Sequence, residues 1–210
     1  MVKVIVFDFD GTIANSFDVF VETLEELLKL PTFTTEEIDK LRVLSIPEIL
    51  KALAIKKWQI PKFVLVGRRR IAGKMNRVNI FDGMDDVLKG LSAKGYKLYI
   101  LSTNSKDAII SFLEKNEISQ YIDGVYGDIG LTGKTKYLNK LCRDVGYEKS
   151  DYVYVGDELR DIAASKKAHM SCVSVTWGYS NAESLARHNP NGLVSSPTDL
   201  LRRFSPHPQR

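Results

Sequence analysis

Val4-Ile5-Val6-Phe7-Asp8-Phe9-Asp10-Gly11-Thr12 is a β-rich apolar run that ends in two carboxylates flanking one aromatic residue. Side chains alternate along a strand, so Asp8 and Asp10 point the same way if extension continues, and Gly11 lets the backbone turn at once. Placing like charges this close is costly unless a cation or a shared proton offsets the repulsion. The pair therefore predicts a bound metal, a raised pKa, or both. The apolar run is continuous rather than alternating, which suits a strand buried on both faces of a parallel sheet, where the carboxyl ends of the strands form the ligand crevice.

After Thr12 the pattern changes. Phe17, Phe20, Val21, Leu24, Leu27 and Leu28 recur at helical spacing until Pro31 stops the run. Thr34 with Glu37, and Ser45 with Glu48, have the spacing of capping boxes opening two further helices, and a last helix runs from Pro61 toward Arg77, weakened by Gly67 and Gly73. From about Asp82 strand and helix alternate. Strands are expected at Lys97 to Leu101, Val125-Tyr126, Tyr152 to Val155 and Cys172 to Thr176, separated by helices around Ile109 to Lys115, Lys134 to Val145 and Ile162 to Ala168. This grammar implies a parallel α/β sheet interrupted by a helical block. The expected architecture is a Rossmann-like, doubly wound core from residues 1–14 and 82–210, with an all-helical cap inserted at 15–81.

The chain has 210 residues, a formal net charge of +4 and two cysteines, Cys142 and Cys172. The charge is too mild to argue for nucleic-acid or membrane binding by the chain as a whole. Two cysteines in a helical and a strand pattern suit a reduced, cytoplasmic interior rather than a disulfide framework. The N-terminal apolar run breaks at Asp8, so neither a secretory signal nor a membrane span is expected there, and no later segment qualifies.

Three other strand ends carry groups able to meet Asp8 and Asp10. Leu101-Ser102-Thr103-Asn104-Ser105 ends a core strand in hydroxyl and amide groups just before a helix, where free backbone N–H groups attract an anion and a serine can equally serve as an N-cap. Lys134 follows Gly133 at a helix start, where its charge opposes the helix dipole, so something negative is expected beside it. Val155-Gly156-Asp157-Glu158-Leu159-Arg160-Asp161 again runs from apolar strand to acid, with Asp161 one helical turn beyond Asp157. An all-oxygen cage of this kind favours Mg²⁺, and no Cys/His cluster suggests zinc.

With these motifs in order, the sequence resembles the haloacid dehalogenase-like superfamily: Asp8 to Thr12, Thr103-Asn104, Lys134, and Gly156-Asp157 through Asp161 match its four motifs. The inserted helical block and Trp177-Gly178-Tyr179 through Asn189-Pro190 extend the resemblance to phosphoglycolate-phosphatase-type members. The resemblance implies that Asp8 attacks phosphorus to form an aspartyl-phosphate, while Asp10 protonates the leaving oxygen and later activates water. It further implies Mg²⁺ held by Asp8, the Asp10 backbone carbonyl, Asp157 and Asp161, with phosphate oxygens on Thr103, Asn104 and Lys134. The substrate would be a small phosphorylated metabolite, phosphoglycolate-like or a sugar phosphate. Asp10 points to C–O phosphoester hydrolysis within the superfamily; a phosphomutase is the alternative, although its hinge histidine would align near Phe20. Asn15 and Thr135 depart from the Asp and Pro frequent in capped phosphatases.

Between Lys40 and Arg77 eleven basic residues face the single acid Glu48. A positive lid could steer anionic substrates, and Ser45 with Arg68, Arg69 and Arg70 are its candidate specificity residues. Three consecutive arginines cannot all face one ligand from a helix. A basic cap could also bind nucleic acid or an acidic partner in a catalytically weak member, which retention of both Asp8 and Asp10 disfavours. Gly133-Lys134-Thr135 resembles the tail of a phosphate-binding loop, but the first glycine would fall at Asp128. His169, His188 and His207 end no core strand, and Trp177 is expected to pack beside the last strand.

Overall fold

In the computed structural model, which describes residues 2–42, 44, 46–130 and 133–204, Val4–Phe7 forms strand β1 with no side chain accessible to solvent. Alternation along β1 feeds two separate cores. Val4 and Val6 pack with Leu138 and Leu141 on one face, while Ile5 and Phe7 pack with Leu88 and Phe112 on the other. Burial of each such side chain contributes roughly 1.5–3 kcal/mol, which is why the run carries no polar residue before Asp8.

The remaining elements follow as β2 (Ala14–Asn15), α1 (Phe17–Leu28), α2 (Thr35–Arg42), α3 (Ile46–Ala52), α4 (Ile60–Gly73), β3 (Asn79–Ile80), α5 (Met84–Ala93), β4 (Lys97–Leu101), α6 (Lys106–Lys115) and β5 (Gly124–Tyr126). The chain continues through α7 (Lys134–Val145), β6 (Tyr152–Gly156), α8 (Leu159–Ala168), β7 (Ser171–Val175), α9 (Ala182–His188), β8 (Leu193–Val194) and α10 (Pro197–Arg203). Six strands form one parallel sheet in the order β5-β4-β1-β6-β7-β8. Helices α5, α6 and α10 cover one face, and α7 and α8 the other. Strand order reverses beside β1, and such a switch point opens a crevice at the carboxyl edge. Phe7 pairs with Ile100 of β4 and Val155 of β6, so Asp8 is level with the ends of both neighbours.

The anticipated α/β architecture and helical block are present. β8 and the antiparallel pair β2–β3 were not legible, because two-residue strands carry no periodicity. Helices α1 to α4 lie between the two strands of that ribbon, in which Ala14 pairs with Ile80 and Asn15 with Asn79. Their own core joins Phe17, Val21 and Leu24 of α1 to Leu41, Ile49 and Leu50, and it includes Tyr179 from the loop after β7. α4 stops at Gly73, and a short 3₁₀ turn covers Met75–Arg77, so the expected continuous run to Arg77 is broken. The Thr34–Glu37 capping box forms in both directions: the Thr34 N–H donates to Glu37 Oε2 at 2.8 Å, and the Glu37 N–H to Thr34 Oγ1 at 3.3 Å. Ser45, of the second expected box, and His207 lie outside the described residues. Among the described residues no helix is long and apolar enough to cross a membrane.

Candidate active site

β1 ends and the backbone turns through Gly11, whose φ of +77° is a conformation open to glycine at little cost. A Cβ there would also lie 2.3 Å from Asp157 Oδ2, and one on Gly178 would lie 2.3 Å from the Asp157 Cβ. Two glycines from distant parts of the chain thus let backbone close around a single carboxylate. Asp157 is fully buried and accepts from Thr12 Oγ1 at 2.9 Å and from the Tyr179 N–H at 2.7 Å. Burial, followed by the charges of Glu158, Asp8 and Asp161, holds its pKa well above the usual carboxylate range.

Asp8, Asp157 and Asp161 offer oxygens within 4.8 Å of one another, all three residues buried. Asp8 accepts the Phe9 N–H at 2.9 Å, and Asp161 accepts the Glu158 N–H at 3.0 Å through the capping box that opens α8. Lys134, the first residue of α7 and only 3 % exposed, forms ion pairs with both Asp8 and Asp161 and lies 5.5 Å from the Tyr154 ring centroid. The negative partner expected for a lysine at a helix start is therefore double. Burial would lower the Lys134 pKa, but Asp161 and Asp8 outweigh it and the net shift is upward. Lys134 and the nearby Arg160 stand against four buried carboxylates, Asp8, Asp157, Glu158 and Asp161, which leaves the cluster short of positive charge, and the all-oxygen donors suit a hard divalent cation.

Asp10 stands apart from this trio. Its carboxylate accepts from Ser16 Oγ at 2.8 Å and from Asn104 Nδ2 at 3.2 Å. The single Ser16 proton is thus committed, and the Tyr179 hydroxyl, 2.8 Å from Ser16 Oγ, donates in turn. Burial pushes Asp10 up to about 6, against the Ser16 and Asn104 hydrogen bonds that lower it. Asp8 also rises to about 6, burial outweighing Lys134. A carboxyl poised near neutrality can carry a proton in either direction.

The β4 loop presents Thr103 and Asn104 next to this pair. Ser102 Oγ accepts the Asn104 N–H at 3.0 Å, Asn104 Oδ1 accepts the Ser105 N–H at 2.8 Å, and Ser105 Oγ caps α6 by accepting the Ala108 N–H at 3.2 Å. N-capping and site formation therefore coexist in five residues. Asp10, Thr103, Asn104 and Arg160 line a cavity of about 120 Å³ whose far wall belongs to α1, α3 and α4.

Of the cap candidates, Arg68 lines that cavity, Arg69 is exposed, and Arg70 donates to Glu26 of α1 at 3.0 Å. Lys74 also pairs with Glu22 and Glu26, and Arg77 with Glu22. A charge count that starts at Lys40 leaves out these α1 partners and overstates the free positive charge. His169 and His188 are exposed. Trp177 is half-buried, its indole N–H donating to the Thr12 carbonyl at 3.2 Å, so it packs on the turn after β1. Thr12, Ser16 and Tyr179 were not singled out as site residues. Ser16 precedes α1 and looks like an N-cap in sequence, yet its hydroxyl makes no cap hydrogen bond and turns to Asp10.

Comparison with known proteins identifies the family. Residues 5–175 match the family model described as haloacid dehalogenase-like hydrolase. The chain is 29 % identical over 205 residues to the phosphoglycolate phosphatase of Synechococcus elongatus, covering 95 % of this chain and 96 % of that one. It is 24 % identical over 207 residues to the pyrophosphatase PpaX of Listeria innocua, covering 95 % of each. A haloacid dehalogenase-like family hydrolase from Streptococcus pneumoniae has the same fold, with a TM-score of 0.78 at 22 % identity over 97 % of this chain and 99 % of that one. The matched span includes Asp8, Asp10, Thr103, Asn104, Lys134, Asp157 and Asp161, and the chain belongs to the haloacid dehalogenase-like hydrolase family.

Proposed function

We propose that the protein is a phosphatase that hydrolyses the phosphomonoester of a small metabolite through a phosphorylated Asp8. The observation that carries this reading is the division of labour at the tip of β1. Asp8 lies among Lys134, Asp157 and Asp161, while Asp10, two residues on, is held by Ser16 and Asn104 with its pKa near 6.

An Asp8 oxygen forms a bond to phosphorus as the bond to the leaving oxygen breaks, and that oxygen takes the proton carried by Asp10. Asp10, now ionised, accepts a proton from water, which attacks phosphorus and returns Asp8 as a carboxylate with release of phosphate. One side chain thus serves as acid and then as base. Lys134, Thr103 and Asn104 offer the donors that hold phosphoryl oxygens. Mg²⁺, the hard cation the donors suit, would be held by Asp8, Asp157, Asp161 and the Asp10 backbone carbonyl, and would neutralise phosphoryl charge.

Residues 15–81 would act as a cap over the core formed by 1–14 and 82–210. The β2–β3 ribbon is its natural hinge, because two pairs of residues connect the segments there. Closure would exclude water while Asp8 is phosphorylated, and opening would admit it. The pairing of Arg70, Lys74 and Arg77 with Glu22 and Glu26 weighs against the nucleic-acid reading.

The test is turnover of simple phosphate esters with Mg²⁺ by the native chain and by Asp8→Asn. Loss of roughly a thousandfold or more in the variant is expected. Equal turnover by both would remove Asp8 from the chemistry.

A further inference from the structure

The cavity beside Asp10 has an apolar wall built by Phe20, Leu24, Leu27, Leu50, Phe63 and Ile71. Its one hydroxyl on α1, Thr23, donates to the Val19 carbonyl at 2.7 Å, so that residue offers the cavity its methyl group. Asp10, Thr103 and Asn104 close the opposite side. A group departing from phosphorus toward Asp10 therefore leaves toward hydrocarbon. We infer that the preferred substrate is a phosphate ester of a compact apolar alcohol, one aromatic ring or about four to six carbons in size. This rests on the phosphatase reading and narrows it.

Size and polarity both point this way. Enclosed cavities of about 150 Å³ lined by Leu, Ile and Phe accept benzene, so about 120 Å³ holds one ring-sized group against this wall, with the mouth open to solvent. A sugar would set several hydroxyls against the apolar wall, out of reach of the polar groups that Asp10, Thr103, Asn104, Arg160 and Tyr179 gather on the other side, and unpartnered buried polar groups are strongly disfavoured. A glycolate carboxylate would find Arg68 from α4 and Arg160 from α8 on the cavity lining. Arg160 bonds Glu158 through one terminal nitrogen while its buried Nε has no partner among the described residues, so Arg68 and Arg160 are both cations a carboxylate could meet.

Gly67 provides a fold-safe probe of the wall. It lies inside α4, and a Cβ built there makes ordinary contact with Leu27 Cδ1 at 3.7 Å, with nothing closer. Gly67→Ala therefore narrows the cavity while favouring the helix.

The experiment measures kcat/KM with Mg²⁺ for methyl, butyl and benzyl phosphates, glycerol phosphate and phosphoglycolate, using the native chain, Gly67→Ala, Arg68→Met and Arg160→Met. All are esters of unactivated alcohols, so binding rather than leaving-group acidity dominates the ranking. The native chain should favour butyl or benzyl phosphate over methyl phosphate and phosphoglycolate by about tenfold or more. Gly67→Ala should lower the benzyl-to-methyl ratio several-fold, and Arg68→Met should leave that ratio in place. Preference for phosphoglycolate in the native chain, whether Arg68→Met or Arg160→Met removes it, or a Gly67→Ala effect equal on every ester, would overturn the apolar assignment while leaving the phosphatase intact. No turnover of any ester would overturn both.

Discussion

The tip of β1 and the cavity wall contributed by α1 and α4 sit side by side, yet they are held by opposite kinds of interaction. At the strand tip each acid is pinned by at least two partners: Asp157 by Thr12 and Tyr179, Asp8 by Phe9 and Lys134, Asp161 by Glu158 and Lys134. The α1–α4 wall is apolar within and laced outside by exposed ion pairs. Buried, hydrogen-bonded charge is sensitive to any change, whereas an apolar wall accepts exchange of one hydrocarbon side chain for another of similar volume. The proposed chemistry is thus fixed in the region the fold cannot alter, while the proposed selectivity rests on a wall that can be changed.

The hardest blow to this contrast is Lys134→Met. It removes the one cation among the described residues in direct contact with Asp8 and Asp161, leaving only the Arg160 guanidinium near them, and stranding a buried charge costs about 3–5 kcal/mol. Thermal and urea unfolding should register that loss, and Mg²⁺ should recover part of it. A Lys134→Met protein as stable as the native chain would mean that the acids are already neutral, and the picture of a charge-starved cluster would be wrong.

How legible each region was in sequence follows from the same contrast. Asp8, Lys134 and Asp157 stand at ends of periodic elements, so reading the strand pattern delivers them to one edge of the sheet. Thr12, Ser16 and Tyr179 do not announce themselves, because their roles depend on contacts across 145, 6 and 163 residues of chain that no local pattern encodes. Ser16 is the instructive case, occupying an N-cap position while serving a carboxylate instead of the helix. The cap was legible as helices but not as a surface: three consecutive arginines look equivalent on paper, and packing sends Arg68 to the cavity and Arg70 to Glu26. The ribbon at its base is too short to show any period.

A smaller effect sharpens the same comparison through pH. Asp8 and Asp10 rise from 3.8 to about 6 on burial, so between those values the folded state holds more protons than the unfolded chain. Stability without divalent cation therefore falls as pH rises through about 4 to 6, by up to about 3 kcal/mol for each group shifted this far, and Asp157, raised further, extends the fall above that window. A cation competes with those protons, so the rise in Tm on adding Mg²⁺ should grow across that window. Scanning calorimetry at pH 4.5 and 7.5, with and without Mg²⁺, tests this. A Mg²⁺ effect equal at both values would detach the carboxylates from the cation.

The smallest effect belongs to the outer face of the cap. Hydrogen bonds from Arg77 to Glu22 and from Lys74 to Glu26 hold both carboxyls below the usual glutamate range. Lowered acids contribute stability above their unfolded pKa and lose it as pH falls through the folded value. These pairs are exposed, so solvent and salt screen them. Glu22→Gln with Glu26→Gln should shift Tm slightly in dilute buffer and not measurably in 0.5 M salt, with kcat/KM changed by less than about twofold. The double variant frees Arg70, Lys74 and Arg77 without touching the cavity wall. If it accelerated turnover of anionic esters in a salt-dependent way, the outer charges would be steering substrate after all, and selectivity would not reside in the apolar wall alone.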